Sequence, residues 1–428
     1  MLDRRGFIKS AGAVALGGST LAGLGGCAGA GSVRQAGGHV VVVGGGYGGA
    51  TAAKYLRMWS GRGVKVTLIE REARFVSCPI SNLVIGGVKD MAYITSGYDR
   101  LRDHWGVEVI HDEVVAIDVT RREIRLAGGA TLHYDRALLS PGVDFLTDEV
   151  GGLTGHQERI PHAWKAGPQT VLLRKQLEDM ADGGVYALHV PKVPYRCPPG
   201  PYERACLVAN YFKAHKPRSK VLLLDANPEI QSKKGLFTKA FEDLYKDIIE
   251  YVPNSTLISV DAATRSAELE FSAVKADVLN VLPPMRSGRL VDLLGVELIN
   301  NRWVDVNFLT MEAKGAPNIH VVGDAIFPAP TMPKSGHMAN QQAKVAASAI
   351  LSLLAGQAPN PDPLVMNTCY SFVDSRNVVH VASVHQYNAE KATFLPVEGA
   401  GGVSSAASEL EGRYALAWAQ NIWADMLV

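Results

Sequence analysis

The sequence predicts an α/β protein in which one nucleotide-binding domain is interrupted by a second domain of similar type and followed by a C-terminal α+β domain. A short run of valines, a glycine-rich loop and a helix-forming stretch begin at residue 39. Two further apolar strands, VYALHV and KVLLLD, lie at 185–190 and 220–225. From residue 378 the apolar and polar residues alternate as in antiparallel strands.

These patterns divide the chain into segments. We place the first domain at 37–150 and 288–358, the inserted domain at 151–287 and the C-terminal domain at 359–428. A chain of 428 residues, 47% of them hydrophobic, can bury cores for two or three domains. The net charge of +1, without a long basic run, excludes an electrostatic surface for nucleic acid.

Residues 1–36 form a separate segment that resembles a twin-arginine export signal. Arg4 and Arg5 precede Phe-Ile-Lys and a weakly apolar stretch rich in alanine and glycine. The end of the segment fits either a plain cleavage site at residues 28–30 or a lipobox ending in Cys27, and plain cleavage is favoured. The signal predicts a periplasmic protein, with membrane contact only if Cys27 is lipidated, in a compartment that permits disulfides.

The glycine loop predicts a Rossmann-type dinucleotide site. Gly44, Gly46 and Gly49 follow a valine strand and open a helix, where the backbone N–H groups and the helix dipole favour a pyrophosphate. A second strand, VKVTLIE, ends on Glu70, which is placed to accept hydrogen bonds from a ribose. Strand, loop, helix, strand and terminal acid occur in the required order.

A second motif separates FAD from NAD as the cofactor. The strand NIHVVGD ends in Gly323 and Asp324 and precedes a long helix-forming segment. It resembles the second flavin motif of the two-dinucleotide-domain flavoprotein reductases, in which the aspartate holds the ribityl chain. YDRALLSPGVDF, at 134–145, resembles another strand and turn of that superfamily, and the three motifs together favour FAD.

The inserted domain lacks the glycine loop that normally binds NADH. Its first strand is followed by YRCPPGPYERAC, at 195–206, in which prolines replace the N–H groups that would hold a pyrophosphate. We therefore expect a degenerate NAD-type domain, and an NADH-dependent disulfide reductase is disfavoured. The stretch instead contains a cysteine, Cys197, which directly precedes Pro198 and Pro199.

Five cysteines are too few and too scattered for a zinc site, so no metal is expected. The ordinary interpretation of a lone thiol is a buried, inert side chain, and we apply it to Cys206 on a predicted helix.

Four motifs together are specific enough to name a family. SCPISNLVIGG, PYRCPPGPYER, MPKSGHMANQQAKVAA and NTCYS resemble the flavoprotein subunit of flavocytochrome c sulfide dehydrogenase, a relative of the sulfide:quinone reductases. The resemblance extends from about residue 38 to the C-terminus.

The resemblance implies a set of site residues. In that family the cysteine matching Cys78 carries FAD through a thioether, and the cysteines matching Cys197 and Cys369 form a disulfide over the flavin. Glu203 matches an acid near that disulfide, and Trp423 matches an aromatic residue of the flavin pocket.

The expected chemistry is thiol–disulfide exchange. HS⁻ attacks one sulfur of the disulfide, the other sulfur leaves as a thiolate, and two electrons pass to FAD. Glu203 is a candidate to manage protons, and the alternative is an exposed glutamate paired with Arg204 or Lys192. Lys334 is a candidate to stabilise negative charge on reduced flavin, and the alternative is a solvated lysine.

The resembled family passes electrons to a c-type cytochrome subunit, and this chain has no CxxCH motif for attaching a haem itself. The predicted function is therefore oxidation of sulfide to elemental sulfur or polysulfide, with a c-type cytochrome as partner. The alternatives are a sulfide:quinone reductase and a non-catalytic flavin electron-transfer subunit.

Replacing Arg4 and Arg5 together by lysine is expected to leave the protein in the cytoplasm, because the twin-arginine route reads that pair. Cell fractionation followed by immunoblotting measures the distribution. Unchanged export would show that another route is used.

Overall fold

A computed structural model describes residues 37–428, so the predicted export segment with Arg4, Arg5 and Cys27 lies outside the described residues. The strands, in chain order, are β1 Gly38–Val43, β2 Val64–Ile69, β3 Phe75–Val76, β4 Thr95–Ser96, β5 Glu108–Ile110, β6 Val114–Asp118, β7 Glu123–Leu126, β8 Thr131–His133, β9 Arg136–Leu139, β10 Val143–Phe145, β11 Val185–Val190, β12 Lys220–Asp225, β13 Ile249–Val252, β14 Leu257–Asp261, β15 Ser266–Leu269, β16 Ala273–Lys275, β17 Val278–Val281, β18 Met285–Ser287, β19 Leu298–Ile299, β20 Trp303–Val304, β21 Val306–Asn307, β22 Glu312–Ala313, β23 Ile319–Val321, β24 Leu364–Phe372, β25 Val378–Asn388, β26 Thr393–Pro396 and β27 Gly402–Val403. The α-helices are α1 Tyr47–Trp59, α2 Ser81–Ile85, α3 Asp99–Asp103, α4 Pro168–Asp179, α5 Gly200–His215, α6 Lys234–Leu244, α7 Gly336–Leu354 and α8 Glu409–Leu427.

The largest sheet has seven strands in the order β21-β22-β23-β9-β1-β2-β5. Strands β23, β9, β1, β2 and β5 run parallel, and the valines of β1 are buried between the helices that pack on the sheet. Because the carboxyl ends of parallel strands meet at one edge, the residues that follow β1, β2 and β23 lie along the same edge. The fold is the α/β, Rossmann-type fold that the sequence predicts. The domain bounds stay predictions.

The inserted region contains a four-stranded parallel sheet in the order β13-β12-β11-β17. Asp225 ends β12, at the position where a nucleotide-binding domain uses an acid to hold a ribose. Here the Asp225 carboxylate is fully buried and accepts hydrogen bonds from the hydroxyls of Tyr202 at 2.7 Å and Tyr251 at 3.1 Å. These bonds are a second reason to expect that the region does not hold a nicotinamide cofactor in the usual way.

The C-terminal region forms an antiparallel sheet, β24-β25-β26 with β27 on β25, followed by helix α8. Helix α8 packs on α1, where Lys54 donates to the Ala424 carbonyl at 3.1 Å and Tyr55 donates to Asp425 at 2.5 Å. Among residues 37–428, no helix combines the length and the apolar character needed to cross a bilayer.

The turn after β1 depends on two glycines. Gly44 has a φ of +97°, and a Cβ there would lie 2.4 Å from the Ser140 carbonyl oxygen. A Cβ on Gly49 would lie 1.7 Å from the Gly44 carbonyl oxygen. A Cβ on Gly46 would meet nothing within 4 Å, so this glycine marks the open side of the loop.

Gly49→Ala is expected to lower the free energy of unfolding by about 1–3 kcal/mol, because the backbone of the turn must move to admit the methyl group. Gly46→Ala is the matched control and should leave the free energy of unfolding nearly unchanged. Thermal melts of both variants measure the difference. Equal melting temperatures would contradict this account of the turn.

Candidate active site

Glu70 and the glycine loop form one end of the site. Glu70 follows β2, and its carboxylate accepts the N–H of Gly45 at 2.6 Å, which fixes the loop. Tyr98 donates its hydroxyl to the Gly45 carbonyl at 3.2 Å from the other side. Gly46 lies at the N-terminus of α1, and the space beside it is open. An anionic pyrophosphate could therefore approach the backbone N–H groups at the start of this helix.

Asp324 lies at the other end of the same sheet edge, directly after β23 and Gly323. Its side chain is 11% exposed, and burial raises the pKa of its carboxyl. Its Oδ1 has no hydrogen-bond partner among residues 37–428. A buried carboxylate oxygen without a partner can accept a hydrogen bond from a bound ligand, and the ribityl hydroxyls of FAD are suitable donors. Asp324, Glu70 and the open side of Gly46 thus fit FAD.

Lys334 is buried, so the alternative that it is a solvated lysine is wrong. Its ammonium group donates to the carbonyls of Asp324 at 2.9 Å and Ile326 at 2.5 Å, and it lies 3.6 Å from the centre of the Trp303 ring. Burial lowers the pKa of Lys334 to about 7. The positive charge is therefore held near the Asp324 end of the site by backbone and aromatic contacts.

Cys78 follows β3, and its sulfur accepts the N–H of Ala166 at 3.4 Å. The preceding residue, Ser77, is hydrogen-bonded to the Tyr47 hydroxyl at 2.6 Å, and Trp423 donates its indole N–H to the same hydroxyl at 3.0 Å. Trp423 of the C-terminal helix is thereby connected to the Cys78 loop through Tyr47 of the glycine turn.

Cys197 lies three residues before the start of α5 and has a φ of +60°, in the left-handed region that non-glycine residues rarely adopt. Its N–H donates to the Lys334 carbonyl at 3.0 Å. A Cβ on Gly200 would lie 2.9 Å from the Cys197 sulfur and 2.7 Å from the Trp164 ring, so glycine is needed there. These contacts fix the direction of the Cys197 side chain.

Cys369 lies on β24, and its sulfur accepts the side-chain N–H of Asn367 at 3.2 Å. The two cysteine segments are joined through hydrogen bonds, because Cys197 donates to the Lys334 carbonyl and the next residue, Ser335, is bonded to Asn367 at 2.6 Å. Burial first, and then the charge of Cys369, raise the pKa of the Cys197 thiol. Both are half-buried free thiols, so no bond joins them in this structure. Their disulfide stays a prediction. Cys206, by contrast, is fully buried in α5.

Glu203 is buried, so the alternative of an exposed glutamate paired with Arg204 or Lys192 is wrong. Its carboxylate accepts the backbone N–H of Phe372 at 2.9 Å and the side-chain N–H of Asn82 at 2.8 Å. Arg204 instead donates to the Asn82 side-chain oxygen at 3.0 Å and to backbone carbonyls. Burial raises the pKa of the Glu203 carboxyl.

Sequence reasoning missed two residues of this cluster. Asn82 bridges Glu203 and Arg204, and it lies only four residues after Cys78 in a motif that carries the family resemblance. Lys233 is buried and donates to the Cys369 carbonyl at 3.0 Å. Its local sequence, SKKGL, gives no sign of burial, since lysine before a helix is usually solvated.

Three family models match successive parts of the chain. Residues 38–166 match the pyridine nucleotide-disulphide oxidoreductase family, and residues 170–283 match the central region of the sulfide dehydrogenase [flavocytochrome c] flavoprotein chain. Residues 361–427 match the flavin-binding region of flavocytochrome c sulphide dehydrogenase.

Individual relatives agree with these matches. A sulfide dehydrogenase [flavocytochrome c] flavoprotein chain of Chlorobaculum thiosulfatiphilum is 58% identical over 46 residues, which cover 11% of this chain and 94% of that sequence. The mitochondrial sulfide:quinone oxidoreductase of Mus musculus is 23% identical over 308 residues, which cover 67% of this chain. The match spans 65% of the mouse protein's length.

The fold is shared with a solved structure. The sulfide:quinone oxidoreductase of Aquifex aeolicus superposes with a TM-score of 0.74 over 91% of each chain, at 19% identity. The sequence matches to the Chlorobaculum chain and to the two family models show that the chain belongs to the flavocytochrome c sulfide dehydrogenase flavoprotein family.

Proposed function

We propose that the chain catalyses the FAD-dependent oxidation of sulfide to elemental sulfur or polysulfide through a Cys197–Cys369 disulfide, and that it passes the electrons to a c-type cytochrome subunit. One observation carries the proposal. Two half-buried cysteines that are 172 positions apart lie on segments joined through hydrogen bonds of Lys334, Ser335 and Asn367. The buried Glu203 carboxylate joins the same two segments by accepting the N–H of Phe372. The family match to sulfide dehydrogenases supports sulfide as the substrate.

The residues that would hold FAD are those of the sheet edge. Gly44, Gly46 and Gly49 would receive the pyrophosphate, Glu70 the ribose and Asp324 the ribityl chain. Cys78 would form the thioether, and Gly323, Lys334 and Trp423 would complete the pocket around the cofactor. FAD, when bound, supplies an acceptor for two electrons that can release them one at a time.

The first chemical step is attack by HS⁻ on the disulfide. A new bond forms to one cysteine sulfur, the S–S bond breaks, and the other cysteine leaves as a thiolate. The persulfide keeps the proton of HS⁻, so one negative charge enters and one remains on the protein. Over the whole cycle, HS⁻ loses two electrons and a proton and the disulfide is restored.

Glu203 is suited to accept a proton within this cluster. Burial raises the pKa of the Glu203 carboxyl, so this group titrates closer to neutral pH than an exposed carboxyl does. It can therefore take a proton from H₂S and later release it. The carboxylate is fixed by two N–H donors, the backbone of Phe372 and the side chain of Asn82. A bound H₂S molecule could thereby be converted to the nucleophile HS⁻.

A quinone acceptor is the second candidate, because two relatives, from Mus musculus and Dictyostelium discoideum, are named sulfide:quinone oxidoreductases. The cytochrome is favoured by the flavocytochrome c family matches at 170–283 and 361–427. We further propose a periplasmic location, reached through the twin-arginine route. Anaerobic reduction by sulfide, followed by addition of oxidised cytochrome c or a soluble quinone, distinguishes the two acceptors.

Acid precipitation should leave the yellow colour with the wild-type protein, because a thioether at Cys78 survives denaturation. Cys78→Ala should release FAD into the supernatant, where its absorbance is measured. Free FAD released from the wild-type protein would refute the covalent bond.

Cys197→Ser and Cys369→Ser are each expected to reduce sulfide-dependent bleaching of the flavin by at least about 100-fold, because a single sulfur offers no disulfide to attack. Bound FAD should be retained in both variants. Stopped-flow absorbance under anaerobic conditions measures the rate.

Cys206→Ser is the matched control for these two variants, because its thiol is buried in α5 and has no part in the mechanism. It should retain the wild-type rate. Rapid bleaching by sulfide in either the Cys197 or the Cys369 variant would exclude the disulfide mechanism, and rapid bleaching of the wild type by NADH would point to a different reductant.

A further inference from the structure

Lys233 is a buried cation that is hydrogen-bonded to β24, the strand that carries Cys369. It precedes α6, and its ammonium group donates to the Cys369 carbonyl at 3.0 Å and to the Ser371 hydroxyl at 2.8 Å. The Val379 carbonyl of β25 lies 3.5 Å away. Three acceptors on two strands therefore hold this charge in one place, although burial of an ammonium group is unfavourable.

The groups facing Lys233 are mostly acidic. They are Cys369 on β24, Glu203 on α5, Glu411 on α8 and Cys197 in the loop before α5. Burial lowers the pKa of Lys233 to about 8, against the effect of these charges, so the ammonium form prevails at neutral pH. Glu411 is itself hydrogen-bonded to His380 at 3.0 Å and to Ser404 at 2.6 Å.

The two candidate redox sulfurs differ in their surroundings. The Cys369 sulfur accepts an N–H from Asn367. Burial raises the pKa of the Cys369 thiol, and the charge of Lys233 is the largest effect in the opposite direction. For Cys197 the charge of Arg196 lowers the thiol pKa more than that of Lys233 does. The Arg196 guanidinium lies 3.9 Å from the Asp324 carboxylate and donates to the Trp164 carbonyl. The Arg204 guanidinium is likewise already hydrogen-bonded, since it donates to Asn82 and to backbone carbonyls.

We propose that Lys233 is a positioning residue that stabilises negative charge on Cys369, so that Cys369 is the leaving thiolate and Cys197 takes the persulfide. The inference rests on the proposed function, because it assigns roles within that disulfide. The HS⁻ sulfur bonds to Cys197, and the S–S bond breaks with its electron pair on Cys369. The proton stays on the outer sulfur of the persulfide, and the Lys233 ammonium offsets the new negative charge.

The test measures the reactivity of the two thiols in the reduced protein and requires no turnover. The rates at which iodoacetamide alkylates Cys197 and Cys369 are followed across pH by peptide mass spectrometry, since the thiolate is the reactive form. In the wild type, Cys369 should react faster than Cys197 at neutral pH. Lys233→Gln should slow the alkylation of Cys369 about tenfold and move its pH profile upward by about one unit.

Two further variants separate charge from packing. Lys233→Arg keeps the charge and should largely restore the wild-type profile. Lys216→Gln is the matched control, because Lys216 is as buried as Lys233 and also donates to backbone carbonyls, those of Glu178 and Met180. It should leave the alkylation of Cys369 unchanged.

Either of two results would overturn the inference. One is a Lys233→Gln profile for Cys369 that matches the wild type. The other, which holds even if that variant does not fold, is a wild-type protein in which Cys197 reacts faster than Cys369. Failure of the proposed function has a different signature, namely a wild-type flavin that sulfide does not bleach while Cys369 keeps its faster alkylation.

Discussion

The buried carboxylate of Glu203 is the constraint on which the arrangement of the three site cysteines depends. It extends from α5, accepts the backbone N–H of Phe372 on β24 and accepts the side-chain N–H of Asn82 on α2. Each of these segments carries one cysteine a few residues earlier in the chain: Cys197 before α5, Cys369 on β24 and Cys78 before α2. A buried charge is costly unless it is hydrogen-bonded, so the carboxylate fixes the three segments relative to one another.

Asn82 extends this constraint to a second buried charge. Its oxygen accepts from Arg204, whose other N–H groups bind the carbonyls of His162 and Ala163 and the side-chain oxygen of Asn280. That segment continues to Ala166, whose N–H contacts the Cys78 sulfur. Each unsatisfied buried partner would cost about 1–3 kcal/mol, so the network favours one arrangement of the cysteines over others. Lys233 adds the positive charge that a reaction generating a thiolate in this space requires.

The sequence predicted those parts of the structure that are determined locally. The glycine turn, Glu70 and Asp324 follow strands whose parallel pairing brings them to one edge, and each has a recognisable motif around it. The sequence does not determine whether Glu203 and Lys334 are buried, because their burial depends on segments far away in the chain. The Glu203–Phe372 bond joins residues 169 positions apart. Lys233 could not be predicted, because nothing in its neighbourhood distinguishes it from a solvated lysine.

The central claim is that Cys197 and Cys369 form a reactive disulfide. Peptide mapping of the oxidised protein by mass spectrometry, without reduction and with free thiols blocked at low pH, tests it most directly. We expect a single cross-linked peptide pair containing Cys197 and Cys369, which is lost after addition of sulfide. Recovery of both cysteines as separately blocked thiols from the oxidised, sulfide-active protein would contradict it.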